Sequence, residues 1–194
     1  MSRLVVSVVL VILTACGPRP PGPGPDSESA PPSAAPVVEG RGRATSAPPP
    51  EAPAGDEAPA SMKAILEAHN QVRARHCAAP LAWSKKLAKV AQAWADSLAR
   101  RGCAFDHSGG AYGENLAGGT SGTLDAAGVV DMWYRERKGY DFRGGGFSMN
   151  TGHFTQLVWR GTTHLGCGTV SCKGLDLWVC NYDPPGNFVG ERPY

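Results

Sequence analysis

Long hydrophobic runs are scarce in this 194-residue chain: the longest, Leu4 to Leu13, covers ten residues and is interrupted by Ser7. Ten residues are too few to cross a bilayer. With Arg3 as a positive flank, the run reads as the apolar stretch of an export signal rather than a transmembrane helix. A strong charge of one sign is missing as well. From Ser61 to Tyr194 there are 15 Lys+Arg and 11 Asp+Glu, dispersed along the chain. That balance lacks the basic face that nucleic-acid binding needs, so nucleic acid is excluded as a partner. Before Ser61 there is no histidine and no tryptophan, and between Gly17 and Ala60 the only large aliphatic residues are Val37 and Val38. Such a stretch cannot bury enough apolar surface to offset the entropy of ordering it. Two common hydrolytic signatures, His-Glu-x-x-His and Gly-x-Ser-x-Gly, are also absent, which leaves no catalytic residue assigned by motif.

What the chain does contain is unevenly divided. Thirteen of its 17 prolines lie between Gly17 and Ala60, whereas all histidines and tryptophans come later. This division predicts an address at 1–16, a Pro/Ala-rich tether at 17–60 and one folded domain at 61–194. Leu13-Thr14-Ala15-Cys16-Gly17 resembles the bacterial lipobox, in which cleavage precedes a cysteine that receives a diacylglyceryl group. The plain alternative is ordinary cleavage, with Cys16 there by chance. A lipidated Cys16 would make a membrane the partner of the N-terminus, at about 0.8 kcal/mol per buried methylene. Proline stiffens the tether toward polyproline II, at about 3.1 Å per residue where extended.

Within the domain, Met62, Ile65, Leu66, His69 and Val72 recur at helical spacing, which predicts a helix over 61–76. Ser84 reads as an N-cap for a second helix striped by Leu87, Val90, Ala91, Trp94 and Leu98, with Gly102 at its C-terminal end,. A third helix is expected from Leu124 to Lys138. Leu175, Leu177 and Val179 alternate with Asp176, Trp178 and Cys180, so 164–172 and 175–182 read as two strands joined at Lys173-Gly174,. Helices first and strands last argue for an α+β fold. Val129, Met132, Trp133 and Glu136 fall at i, i+3, i+4 and i+7, which places a carboxylate on an apolar stripe where it needs a partner or a cavity. A structural salt bridge and a cleft both satisfy that need.

Gly152-His153-Phe154-Thr155-Gln156-Leu157-Val158-Trp159 and Leu177-Trp178-Val179-Cys180-Asn181-Tyr182-Asp183-Pro184 resemble the two signatures of the CAP superfamily. That superfamily is named for cysteine-rich secretory proteins, antigen 5 and plant pathogenesis-related protein 1. His69-Asn70, His107-Ser108, Tyr112-Gly113-Glu114-Asn115-Leu116 and Trp133-Tyr134-Arg135-Glu136 match further segments in order. The resemblance implies a three-layer α-β-α sandwich with a short antiparallel sheet. It also implies a cleft tetrad of His107, Glu114, Glu136 and His153, in which His107 and His153 hold a divalent metal, zinc being the first expectation. His76 and His164 match no tetrad position and read as surface or packing residues, and His69 as a packing residue inside the fold.

Resemblance to the plant members implies disulfides Cys103–Cys172 and Cys167–Cys180. Cys77 and Cys103 each follow a helix, so a Cys77–Cys103 bridge competes with that scheme. Taken together, these residues describe an exported, lipid-anchored binding or interaction module with a metal cleft and a small apolar ligand such as a sterol or fatty acid. The apolar stripes of helices one and three would border the ligand, and Tyr140, Phe142 and Phe147 either cover a pocket or pack as a loop. A metal-dependent hydrolase or protease using the same His/Glu residues is the alternative, with Glu114 or Glu136 as base.

Overall fold

The structure is a computed structural model that describes residues 51–194. The expected signal, Cys16 and most of the tether lie outside the described residues. Helix α1 (Ala60–Arg75) begins after Pro59, whose carbonyl accepts from Met62 and Lys63. Helix α2 (Lys85–Arg100) starts at Ser84, whose hydroxyl accepts from Leu87 N at 3.3 Å. It is followed by Gly102 in the left-handed region, at φ 78°, as a C-terminal glycine should be. Helix α3 (Ala126–Arg135) is capped by Asp125, whose carboxylate accepts from Gly128 N at 2.7 Å. It stops three residues earlier than expected, and Glu136–Gly139 continue as a 3-10 turn. A short helix α4 (Gly152–Leu157) carries the first signature.

The strands are β1 (Ala82–Trp83), β2 (Gly113–Thr120), β3 (His164–Cys172) and β4 (Leu175–Asp183), in the order β1-β3-β4-β2. β2 and β3 both pair antiparallel with β4, but β1 pairs parallel with β3. The sheet is therefore mixed, not purely antiparallel, because a two-residue strand between the first two helices joins its edge. The sandwich is α+β with helices on both faces. On one face, Leu116, Leu177 and Val179 pack with Ala91, Ala95 and Leu98 of α2. On the other, Ala117, Leu165 and Tyr182 share a core with Ile65 and Val72 of α1, Val129, Val130 and Trp133 of α3, and Phe154 and Leu157 of α4. Alternating residues of β2 and β4 thus feed opposite cores, as the two-residue period of a strand requires. Gly166 and Gly168 lie against the α2 backbone at Leu87–Ala88 and Gln92, leaving no room for a Cβ.

Two bridges hold the sheet. Cys103–Cys172 ties the segment after α2 to the end of β3, and Cys167–Cys180 links the paired strands β3 and β4. Cys103 is therefore committed to Cys172, and the competing Cys77–Cys103 pairing is not the one formed.

The folded part reaches further toward the N-terminus than Ser61. Asp56 bridges to Trp83, with Asp56 N donating to Trp83 O at 2.8 Å, and Lys85 N donates to the Asp56 carboxylate at 2.7 Å. Ala58 is buried, and His164 Nε2 lies 3.1 Å from Ala54 O. The last residues of the expected tether are thus laid along β1. Among the described residues, no helix is long and apolar enough to cross a membrane.

Candidate functional site

Three buried polar side chains organise the region between α1, α4 and the sheet. Arg73 lies on the buried side of α1, where its guanidinium donates to Ala79 O at 2.6 Å and to Leu157 O, Trp159 O and Thr162 O at 3.0 Å each. The last three carbonyls come from the end of α4 and the turn after it, so Arg73 fixes the C-terminal side of the segment that carries His153. Burial without a carboxylate partner lowers its pKa to about 10. His69, also fully buried, faces Ile65 O with Nδ1 at 2.6 Å and Tyr182 Oη with Nε2 at 2.9 Å. The carbonyl can only accept, so Nδ1 carries the proton and Tyr182 donates to Nε2. Desolvation pushes His69 down to about 4 and raises the Tyr182 phenol. Asn115 on β2 completes the chain, donating to Tyr182 Oη at 3.2 Å and to the backbone O of His153 at 3.1 Å.

His153 enters from the first turn of α4. Its Nδ1 lies 2.6 Å from Glu136 Oε1, and Glu136 Oε2 accepts from His153 N at 2.9 Å and Phe154 N at 3.2 Å. One carboxylate therefore binds both the ring and the opening backbone of the helix that carries it. The ring also stacks on Trp133, with centroids 6.2 Å apart and planes 13° from parallel. Trp133 is itself held by an indole N–H bond to Leu116 O at 2.8 Å.

His107 lies on the segment before β2. Its Nδ1 is 2.8 Å from Glu114 Oε1, which also accepts from Ser108 N at 2.9 Å. Glu114 is 6% exposed and His107 62% exposed, against 25% for Glu136 and 31% for His153. Glu114 Oε2 is buried without a partner among the described residues. Across the strand pair its register partner is Asn181, whose Oδ1 is likewise buried and unpartnered.

The four residues His107, Glu114, Glu136 and His153 thus stand as two carboxylate–imidazole pairs, linked along β2 through the consecutive residues Glu114 and Asn115. A carboxylate can only accept from Nδ1–H, so each ring presents Nε2 as its lone-pair nitrogen, and among the described residues neither Nε2 has a hydrogen-bond partner. Carboxylates that orient imidazoles through the far nitrogen are the usual outer support of a histidine metal ligand. An imidazole Nε2 is a donor that suits a divalent ion of borderline softness. Among the described residues, no group of three or more His, Cys, Asp or Glu side chains gathers at metal-holding distances.

Glu136 reaches its place differently from the expectation. It begins the 3-10 turn rather than lying within α3, and the buried stripe of the helix is Val129, Val130 and Trp133, with Met132 exposed. Glu114 stands on strand β2. His76 packs among Tyr134, Phe154 and Tyr194, and His164 faces Ala54 and Thr163. Tyr140 and Phe142 meet edge-to-face and pack against Phe154, while Phe147 lies beside Gly152. Arg73 was missed by the sequence reading, although Ile65, His69, Val72 and Arg73 share one helical face. A charge on an apolar stripe, the signal that singled out Glu136, was present there too.

Comparison with known proteins places this geometry among relatives. The model of the CAP family, described as the cysteine-rich secretory protein family, matches residues 66–182. Pathogenesis-related protein 1 of Arabidopsis thaliana is 42% identical over 135 residues, covering 69% of this chain and 83% of that protein. Pathogenesis-related protein 1A of Nicotiana tabacum is 43% identical over 137 residues, covering 69% and 81%. Protein PRY2 of Saccharomyces cerevisiae is 47% identical over 130 residues, covering 66% of this chain and 38% of that protein. Among solved structures, hookworm platelet inhibitor has the same fold, with a TM-score of 0.60 at 21% identity, covering 74% of this chain and 80% of that one.

Proposed function

Because the chain belongs to the CAP family, we propose that it is an extracytoplasmic binding module that holds a divalent metal on His107 and His153 and is anchored through Cys16. One observation carries this reading: each imidazole is fixed at Nδ1 by a carboxylate and offers an unengaged Nε2. NaASP2, a solved structure of the same fold, was crystallised with Zn2+. A bound ion would supply Lewis acidity and open coordination positions for a ligand. Within this chain, Glu114 and Glu136 set the tautomer and direction of the rings, and Trp133 and Asn115 hold His153 in place.

The carboxylates are poorly available as general bases. Both oxygens of Glu136 accept hydrogen bonds from His153 and the α4 backbone, and Glu114 directs one oxygen to His107 and Ser108 and buries the other. Binding is therefore favoured over hydrolysis. A small apolar ligand would enter between α1 and α3, where Ala68, Val72, Ala127, Val130 and Tyr134, together with Gln71, Arg75 and Asp131, line a groove of about 150 Å³. Ligand sites usually measure about 300–1,000 Å³, so a sterol or fatty acid there requires the two helices to part.

Zinc titration by calorimetry tests the metal site on the wild type, His107→Ala and His153→Ala. One ion per chain, lost in both variants, is expected, and a wild-type protein that takes up no divalent ion at micromolar concentration sinks the proposal. Cys16→Ala should release the protein from membranes, and continued retention refutes the anchor. Lipid extraction of the native protein should yield a bound apolar molecule, and a clean extract with no uptake of sterol or fatty acid removes that part of the reading.

A further inference from the structure

A second groove lies on the opposite side of the sheet from the α1–α3 face, between the outer surface of α2 and the loop that carries His107. It measures about 440 Å³ and is lined by Lys89, Val90, Ala93, Trp94, Ser108 and Gly110. That volume falls within the usual range for small-molecule sites. Its walls are almost wholly apolar, and its polar groups are few. Trp94 is held in place, with its indole N–H on Asp106 O at 3.0 Å and the Arg101 guanidinium 4.8 Å from its ring. The indole wall is thus rigid, and the second cation beside it is already paired with Asp106.

Lys89 is different. Among the described residues it has no carboxylate partner, and neither does Lys86, three residues earlier on the helix, which lies over the Tyr112 ring. Val90 and Ala93 are exposed on the same turn of α2. An apolar floor, a fixed indole wall and the uncompensated Lys89 ammonium complement a ligand with a flat or short apolar body and a single anionic head. We propose that this groove binds a small amphiphilic monoanion, an aromatic or short-acyl carboxylate or sulfonate, with its body on Val90, Ala93 and Trp94 and its charge at Lys89. Ser108 belongs both to this groove and to the support of Glu114, so the ligand would lie beside the His107 half of the metal site. The proposal is independent of metal binding and of the α1–α3 groove.

The test uses the Cys16→Ala protein, so that no acyl chain of its own competes, and two probes with one ring skeleton. These are 1-anilinonaphthalene-8-sulfonate, which carries the anionic head, and the neutral N-phenyl-1-naphthylamine, which does not. The sulfonate should bind at one site per chain and shift the amide resonances of Ser108 and Gly110. Lys89→Glu should weaken it about tenfold or more by reversing the local charge, and Ala93→Trp should abolish binding by filling the groove. The neutral probe should bind more weakly and ignore Lys89→Glu. Ala93 is exposed, so the larger residue is tolerated, and an unchanged circular dichroism spectrum verifies this. Equal affinity for both probes overturns the proposal, as does sulfonate binding that survives Ala93→Trp. Sulfonate binding abolished instead by Ala127→Trp assigns the ligand to the α1–α3 groove and equally overturns it.

Discussion

The two imidazole–carboxylate pairs share one chemistry but are built in opposite ways. His153 is held by a carboxylate, by a stacked tryptophan and, through its backbone, by Asn115. His107 is held by its carboxylate alone and stands mostly in solvent. In the first pair both side chains are partly exposed; in the second the carboxylate is buried and the ring is out. A two-point site needs one point that does not move, so that binding does not have to order both. In the proposed site His153 would be that point, and His107 would adjust to what arrives. The fixed half is braced at ring and backbone; the adjustable half is a loop histidine held by one buried strand carboxylate.

Removing the brace beneath the fixed half should have the largest effect. Arg73→Ala leaves four buried carbonyls without their donor and is expected to cost about 4 kcal/mol, measured by urea denaturation. A loss below about 1 kcal/mol would mean that water replaces the guanidinium and the fixed half is not braced there. Acid should weaken the same half next. His69 is fully buried with its pKa lowered to about 4, against an ordinary 6.5, so between these values the unfolded chain binds more protons than the folded one. Its contribution is complete above pH 6.5 and is lost as the pH falls toward 4, about 3 kcal/mol in all. Thermal melts across that window should show the slope in the wild type and lose it in His69→Phe.

The two carboxylates then allow a direct contrast. Glu136→Gln replaces an acceptor of two backbone N–H groups with a group that has one acceptor oxygen, at an expected cost of about 1–2 kcal/mol. Glu114→Gln keeps one oxygen for His107 and Ser108 and turns an amide N–H toward the unpartnered Asn181 oxygen, so stability should change by less than about 0.5 kcal/mol. Equal losses in the two variants would erase the distinction drawn between the halves. The same variant should show its effect in metal affinity instead. Glu114→Gln is expected to weaken zinc binding by about tenfold through looser support of His107, read by competition with a chromogenic chelator.

Periodicity made α1, α2 and the β3–β4 hairpin legible, because each is long enough to show a complete stripe or alternation. It did not reveal α4, which is six residues long, or β2, whose Gly113, Gly118 and Gly119 hide its strand character. β2 exists because β4 pairs with it along its whole length, a tertiary cause that local propensity does not register. Glu136 stood out as a charge out of place, and the structure gives that charge two N–H groups and a ring. No local pattern marked His107 or Glu114; only the ordered family motifs did. The chain from Asn115 through Tyr182 to His69 spans residues up to 113 positions apart, and such links are created by the fold rather than announced before it.

The docked stretch from Ala54 to Ala58 has a practical consequence. β1 is the outer strand on its side of the sheet, and Asp56 occupies the backbone positions that it would otherwise show to solvent. An uncovered outer strand is a template for pairing with other chains, which makes it a route to aggregation. A fragment trimmed to begin at Ser61 would bare that strand together with the buried flank of Trp83. For recombinant work, the shortest well-behaved form of this domain should therefore begin before Ala54, with the last few residues of the proline-rich stretch retained as a guard for the sheet.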